Sequence, residues 1–160
     1  GRDDLALDRP FVERHLHEIE RHVVLLKTLA ARDVEAFRGD PIAFHAAQHL
    51  LQVSIEAMIS IGHHIASERA LPTPGSHAEL FESLHGAGVL PDAVMLPRYQ
   101  AMARFRNLVV HRYWEVDPAR VHEILREHLG NYERFARDIL GFLDRNEAGA
   151  AAAGAPEKPA

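Results

Sequence analysis

Residues 8–30, DRPFVERHLHEIERHVVLLKTLA, carry one apolar stripe at the spacing of an α-helix. The stripe repeats at alternating intervals of four and three residues, and it consists of Val12, Leu16, Ile19, Val23, Leu26 and Ala30. Such intervals place side chains on one face of a helix with about 3.6 residues per turn. Asp8 suits the N-cap and Pro10 the first turn. The stretch therefore predicts an amphipathic helix of about six turns.

Residues 33–69 also show helix caps and an apolar stripe. Asp33 to Arg38 is a short helical piece ended by Gly39, and Asp40-Pro41 then opens a second long helix that runs to about Arg69. Its stripe consists of Ala43, Ala47, Leu50, Ser54, Ala57, Ile61 and Ile65. The small residues in this stripe permit close approach of a neighbouring helix.

The second half of the sequence is helical by the same criteria. Ser76 and Glu79 form a capping box for a short helix, and Pro91-Asp92 opens a further helix that contains Pro97. Asp117-Pro118 caps a last helix. The stripe of that last helix consists of Val121, Leu125, Leu129, Tyr132, Phe135, Ile139 and Phe142.

These patterns together predict an all-α protein, because strand patterns are nearly missing. We expect an up-down helical bundle of roughly four long and two short helices. Residues 1–146 are predicted to form a single domain. Residues 147–160 are rich in alanine, glycine and proline and are predicted to be disordered.

Composition excludes several classes of protein. The 160 residues contain no cysteine, which rules out disulfides and thiolate metal sites and fits the cytoplasm. No apolar run is long enough for a membrane span, and no signal peptide is visible. The net charge of −5 argues against generic nucleic-acid binding. The window from Arg98 to Arg112, however, has four arginines and no acidic residue.

Twelve histidines raise the question of a metal site. His45 and His49 have the spacing of a zinc-binding pair, but Ala46 stands where that motif has glutamate. Glu82 and His85 fit a di-iron pattern only once, and no second copy is found. We therefore predict no metal and no other cofactor.

The most basic window contains a candidate active site, Arg106-x4-His111-x-Tyr113. On a regular helix, Arg106 and Tyr113 share a face, whereas His111 points about 140° away from Arg106. Two arrangements would still unite them: the helix could unwind near Val110, or a symmetric dimer could supply residues from both copies.

These residue types suit the cleavage of RNA without a metal. His111 can act as the general acid or base on the ribose hydroxyl and the leaving oxygen, and Arg106 can bind the phosphate. Asn107 can orient either residue, and Tyr113 can contact the phosphate or stack on a base. Arg104 and Arg112 are further candidates for RNA contact. The motif alone is short, and the same residues would also be expected if they served only the packing of the helical bundle.

Dispersed matches around this motif resemble the HepT-type toxins of the HEPN (higher eukaryotes and prokaryotes nucleotide-binding) superfamily. The similarity covers about residues 50–117. It rests on Ala66-Ser67-Glu68, Pro74-Gly75-Ser76-His77, Phe81 to Leu84, and Met102 to Tyr113.

The resemblance implies a HEPN-like fold and an endoribonuclease, of the hydrolase or nucleotidyl-cyclising type, that acts as the toxin of a toxin–antitoxin pair. It implies a homodimer, or a larger hetero-oligomer, with Arg106 and His111 in a cleft at the dimer interface. The implied partners are RNA and an MntA-like nucleotidyltransferase antitoxin that attaches AMP to Tyr113. The alternative is a non-catalytic helical module that binds such a nucleotidyltransferase.

Two departures from the family pattern concern the predicted site. Arg104 stands where members often have glycine, which adds positive charge beside the cleft. Ser60 stands where many members have aspartate, so a carboxylate that would orient the catalytic pair is missing at that position.

Overall fold

A computed structural model describes residues 7–154 of the chain. Within these residues the chain forms seven α-helices and one 3-10 turn, and no strand. The helices are α1 (Arg9–Ala30), α2 (Val34–Arg38), α3 (Pro41–Glu68), α4 (His77–Gly86), α5 (Leu96–His111), α6 (Pro118–Glu127) and α7 (Gly130–Ala153), and the 3-10 turn is Tyr113–Glu115. The all-α prediction is confirmed, and four of these helices are long, as expected.

Most of the predicted helix starts are present with their capping bonds. The side chains of Asp8, Asp33, Asp40 and Ser76 each accept a hydrogen bond from a backbone N–H in the first turn of the following helix. Such bonds satisfy donors that have no partner within the helix. The boundaries of α1 to α4 therefore follow from local sequence.

Helix α3 occupies the centre of the bundle. It contacts α1, α2, α4, α5 and α6, and the core residues of the described chain form one connected cluster around it. The contact with α4 is close, because a Cβ at Gly62 would stand 3.0 Å from Leu84 Cδ1 and 3.1 Å from Leu80 Cδ2. Close packing against α3 therefore occurs at Gly62, a small residue outside the predicted stripe.

The helix that contains the candidate motif begins later than predicted. Residues 91–95 form a turn in which the Asp92 side chain accepts a bond from Val94 N, and α5 starts at Leu96 with Pro97 in its first turn. A helix from Asp92 would put Pro97 in the interior, where its ring clashes with the preceding turn. The later start avoids this clash.

The predicted last helix is two helices, which makes three short helices in the described chain instead of two. Helix α6 ends at Glu127, and α7 begins at Gly130, a residue of low helix propensity. The predicted stripe remains buried through the break, including Leu129 within it.

The disordered tail predicted from residue 147 is wrong for residues 147–153, which continue α7. Alanine has the highest helix propensity of all residues, and it can extend a helix without burying a face. Residues 155–160, the rest of that predicted tail, lie outside the described residues.

No helix in the described part of the chain is both long and apolar enough to span a bilayer.

One contact between α1 and α3 predicts how stability depends on pH. His22 Nδ1 lies 3.1 Å from the Oγ of the buried Ser54. Burial lowers the pKa of His22 from about 6.5, Arg21 and His49 lower it further, and Glu18 opposes them. A lowered histidine pKa means that the fold favours the uncharged ring. Its contribution to stability is present above about pH 6.5 and is lost as the pH falls toward the folded pKa.

We therefore expect the free energy of unfolding to decrease between about pH 7 and pH 5, and to decrease less in His22→Gln. Urea unfolding at several pH values measures both. His17→Gln, which changes an exposed histidine on the same helix, is the control and should keep the wild-type pH dependence. An identical pH dependence in wild type and His22→Gln would show that His22 is not the group responsible.

Candidate active site

The candidate motif lies at the end of α5, where the chain leaves the helix. Helix α5 is regular through His111, and Arg112, with φ −142° and ψ 45°, ends it. Tyr113 then enters the 3-10 turn. The helix does not unwind near Val110, so the first of the two predicted arrangements is wrong. Arg106 and His111 belong to one continuous helix and project about 140° apart.

Arg106 is held in place by two neighbours. Its Nε donates to Glu56 Oε1 at 3.1 Å, and its Nη1 donates to Asn107 Oδ1 at 3.2 Å. Its side chain is 23% exposed, and that of Glu56 is 35% exposed. Within the described residues, Nη2 has no hydrogen-bond partner. The guanidinium is therefore oriented, while part of it stays available to an anion.

Glu56 belongs to a line of polar residues on α3, which we call the polar stripe. It consists of His45, His49, Gln52, Glu56 and His63. The spacing places all five within about 60° of one another around the helix. Gln52 Nε2 also donates to Glu56 Oε1 at 3.1 Å, so Glu56 joins the stripe to Arg106.

A groove follows one half of the polar stripe and ends near Arg106. It is lined by His45, Gln48, His49, Gln52, Val109, Val110 and Tyr113, and we call it the α3–α5 groove. Its volume is about 440 Å³. Glu56, the partner of Arg106, lies one helical turn beyond Gln52. Glu56 and Arg106 do not line this open groove themselves, but the helical spacing places them beyond its Gln52 end.

Two histidines lie on the other side of Arg106. The rings of His63 on α3 and His77 on α4 are 6.1 Å apart. Burial foremost, then the positive charges of Arg106 and His63, lower the pKa of His77. His77 is therefore held as an uncharged ring near the guanidinium at neutral pH.

The remaining predicted site residues are exposed. His111 makes no hydrogen bond or ion pair with Arg106 in the described structure, and Arg104 is exposed beside them. Arg112 lies 3.5 Å from Glu115. Tyr113 is 64% exposed, and its ring packs edge-on against Trp114 at 5.4 Å. The structure thus brings Arg106 together with Asn107, places Tyr113 in the adjoining groove, and leaves His111 apart.

The sequence analysis missed Glu56, Gln48 and Trp114. The sequence does contain a signal for Glu56, because polar residues recur at helical spacing on an otherwise apolar helix. The carboxylate that Ser60 does not supply is instead present one turn earlier, at Glu56.

A cluster of possible metal ligands lies elsewhere. Glu123, Glu127 and His128 each offer a ligand atom within 4.8 Å of the others, near the end of α6. The two glutamates are exposed, and Glu123 Oε1 already has a cationic partner, Arg120 Nη1, at 3.0 Å. His122, which precedes them, is buried and bonds Arg32 O through Nε2 at 2.7 Å.

Solved structures show the same fold. A cytosolic protein of unknown function, YutE from Bacillus subtilis, matches with a TM-score of 0.77 at 18% identity, over 88% of this chain and 93% of that one. A toxin–antitoxin structure with AMP-PNP matches with a TM-score of 0.77 at 23% identity, over 83% and 99%. A tri-AMPylated Shewanella oneidensis HEPN toxin in complex with its MNT antitoxin matches with a TM-score of 0.75 at 24% identity, over 82% and 97%.

Sequence comparison assigns the family. No protein with a curated description matches the chain significantly. The family model described as "Ribonuclease HepT-like" matches residues 13–139, which include every helix from α2 to α6, most of α1 and the first part of α7. The fold is that of HEPN toxins, and the chain belongs to the HepT-like ribonuclease family.

Proposed function

We propose that this protein is a metal-independent endoribonuclease that acts as the toxin of a toxin–antitoxin pair. The observation that carries the proposal is the oriented, half-buried Arg106 at the end of the α3–α5 groove, in a chain of the HepT-like ribonuclease family. A guanidinium fixed by a carboxylate and an amide is preorganised to bind a phosphate. We expect the protein to act in the cytoplasm, where RNA is available.

The proposed reaction requires only groups of the chain. His111 takes the proton of a ribose 2′-hydroxyl, whose oxygen attacks the adjacent phosphorus. The bond from phosphorus to the 5′-oxygen breaks, and that oxygen receives a proton from a protonated His111 imidazole. The products are a 2′,3′-cyclic phosphate and a 5′-hydroxyl. Arg106 stabilises the negative charge that accumulates on the phosphate oxygens.

A second copy of the chain would complete this site. Because Arg106 and His111 diverge on one helix, a single copy does not direct both at the same phosphate. In a symmetric dimer, His111 of the partner subunit can face the Arg106 of the first copy. The exposed Val110, beside His111, is an apolar residue that such contact would cover.

We propose a nucleotidyltransferase of the MntA type as the antitoxin. The similar structures include toxin–antitoxin complexes, one of them with an AMPylated toxin. The exposed Tyr113 hydroxyl is accessible to a modifying enzyme. An AMP group at Tyr113 would bring a phosphate into the groove beside Arg106 and would exclude RNA.

The RNase hypothesis makes a direct prediction. His111→Ala should lower the rate of RNA cleavage about 10²- to 10⁴-fold, because it removes the acid–base group. Arg106→Ala should lower it about 10²- to 10³-fold, because it removes charge stabilisation in the transition state. Cleavage of a labelled RNA in EDTA, with mapping of the product ends, measures both. His17→Ala, at an exposed position of α1, is the matched control.

Cleavage that stops in EDTA would exclude the metal-independent mechanism. A wild-type protein that binds a nucleotidyltransferase partner but cleaves no RNA would favour the non-catalytic module instead.

Glu56 is predicted to position Arg106. Glu56→Gln should lower kcat about tenfold or more, because a small displacement of an oriented group costs much of its catalytic effect. Stability should change by less than about 1 kcal/mol, because the pair is partly exposed. Glu13→Gln, which removes one of the three carboxylate partners of Arg9, is the matched control and should leave kcat unchanged. Faster cleavage by Glu56→Gln would mean that Glu56 competes with the phosphate for Arg106.

Tyr113 is predicted to be the modified residue. After co-expression with its cognate nucleotidyltransferase, intact mass spectrometry should show added AMP units on the wild-type protein and none on Tyr113→Phe. Tyr99→Phe is unsuitable as a control because Tyr99 is buried, so Trp114→Phe, beside the modified position, is the better one. Equal modification of Tyr113→Phe would assign the AMP to another residue.

A further inference from the structure

The α3–α5 groove contains a buried amide that the proposed chemistry does not use. Gln48 is only 5% exposed, and its Nε2 has no hydrogen-bond partner. A buried donor without a partner is costly in a folded protein. Gln48 also lines the groove, and rotation about its last side-chain bond, which has a broad two-fold energy profile, turns this donor from the protein interior toward an occupant of the groove.

The other walls of the groove indicate the chemistry of that occupant. Gln52, His45 and His49 offer hydrogen-bonding groups, and Val109 offers an apolar wall. Tyr113 offers an aromatic ring at the edge. Among residues 7–154, no lysine, arginine, aspartate or glutamate lines the groove. Amides, imidazoles and one aromatic ring suit a flat, neutral molecule that carries donors and acceptors, and they suit a free phosphate less well.

The distance from the groove to Arg106 indicates which flat, neutral molecule would fit. Gln52 is one helical turn from Glu56, the partner of Arg106, and Gln48 is two turns from it. One turn rises about 5.4 Å and two turns about 11 Å, distances of the order of those from a phosphate to the near and the far edge of the base of the same nucleotide. A nucleotide whose phosphate binds Arg106 can therefore place its base in the groove.

We propose that the α3–α5 groove binds a nucleobase of the RNA next to the scissile phosphate, with Gln48 as the residue that recognises the base edge. This inference rests on the proposed ribonuclease function and deepens it. Single-stranded RNA is generally recognised through splayed bases that stack on aromatic rings and bond to side-chain amides. Here Tyr113 supplies the ring and Gln48 the amide.

The test uses RNA analogues that cannot be cleaved. Fluorescent 2′-O-methyl hexamers that carry bases are compared with an abasic backbone of the same length, because a methylated 2′-oxygen cannot attack. For wild type we expect tighter binding of the base-carrying hexamers. Gln48→Leu should weaken their binding about tenfold, the usual effect of losing one hydrogen bond in a buried site, and leave abasic binding unchanged. Arg106→Ala should weaken both.

Two further variants separate a loss of binding from a loss of folding. Asn131→Leu, which replaces another buried amide outside the groove, should bind all hexamers as wild type does. His49→Ala changes an exposed residue of the groove wall, where little of the fold depends on the side chain, and should reduce only base-dependent binding. Gln48→Leu should keep the wild-type melting temperature or raise it, because leucine removes the unpartnered donor.

The outcomes separate the inference from the function on which it rests. If wild type cleaves RNA and Gln48→Leu binds every hexamer unchanged, the base site is excluded and the ribonuclease remains. If Gln48→Leu weakens abasic and base-carrying hexamers equally and changes the oligomeric state, the groove is a contact between copies of the chain. If wild type neither cleaves RNA nor binds any hexamer, both proposals are wrong.

Discussion

The central position of α3 is the constraint on which the rest of the structure depends. A helix that contacts five others has to be apolar on most of its surface, because buried polar groups need partners. The polar stripe is the exception, and it lies where neighbouring helices leave α3 partly uncovered. Because α5 ends at His111 and the chain turns away at Arg112, the N-terminal half of the stripe faces the open α3–α5 groove. The early end of α5 thus leaves the N-terminal half of the polar stripe on α3 exposed.

The pair of Glu56 and Arg106 is better explained by function than by stability. A partly exposed ion pair contributes about 0–1 kcal/mol, which is little for a bundle with this extensive a core. Its geometric effect is larger, because one carboxylate oxygen receives bonds from both Arg106 and Gln52. This fixes the long arginine side chain before any phosphate arrives, and the entropy of ordering it is not lost again on binding. Asn107 adds a second restraint from the helix itself.

Local sequence was enough to predict most helices, whereas the site needed tertiary information. The caps at Asp8, Asp33, Asp40 and Ser76 are short-range bonds, and the stripe of α1 is a one-dimensional pattern, so both can be found without knowing the neighbours. The break before Gly130 could not be found in this way, because the apolar stripe continues across it. Glu56 and Arg106 are fifty positions apart, and only the packing of α5 on α3 brings them together. The motif around Arg106 indicated that α5 carries the candidate site. The orientation of the Arg106 side chain, however, depends on Glu56 of α3.

Tyr113 links the proposed activity and its proposed control through one groove. The residue lines the α3–α5 groove, yet it is attached to the turn after α5 and keeps most of its ring exposed. An AMP group on its hydroxyl would carry a phosphate and an adenine, which are the two groups of a nucleotide that Arg106 and the groove are proposed to bind. The modification would then occupy the site as a covalently attached imitation of the substrate. Because it is tethered, it competes at a high effective concentration and needs no tight contacts of its own. Such control requires no change in the fold, because Tyr113 already lines the groove.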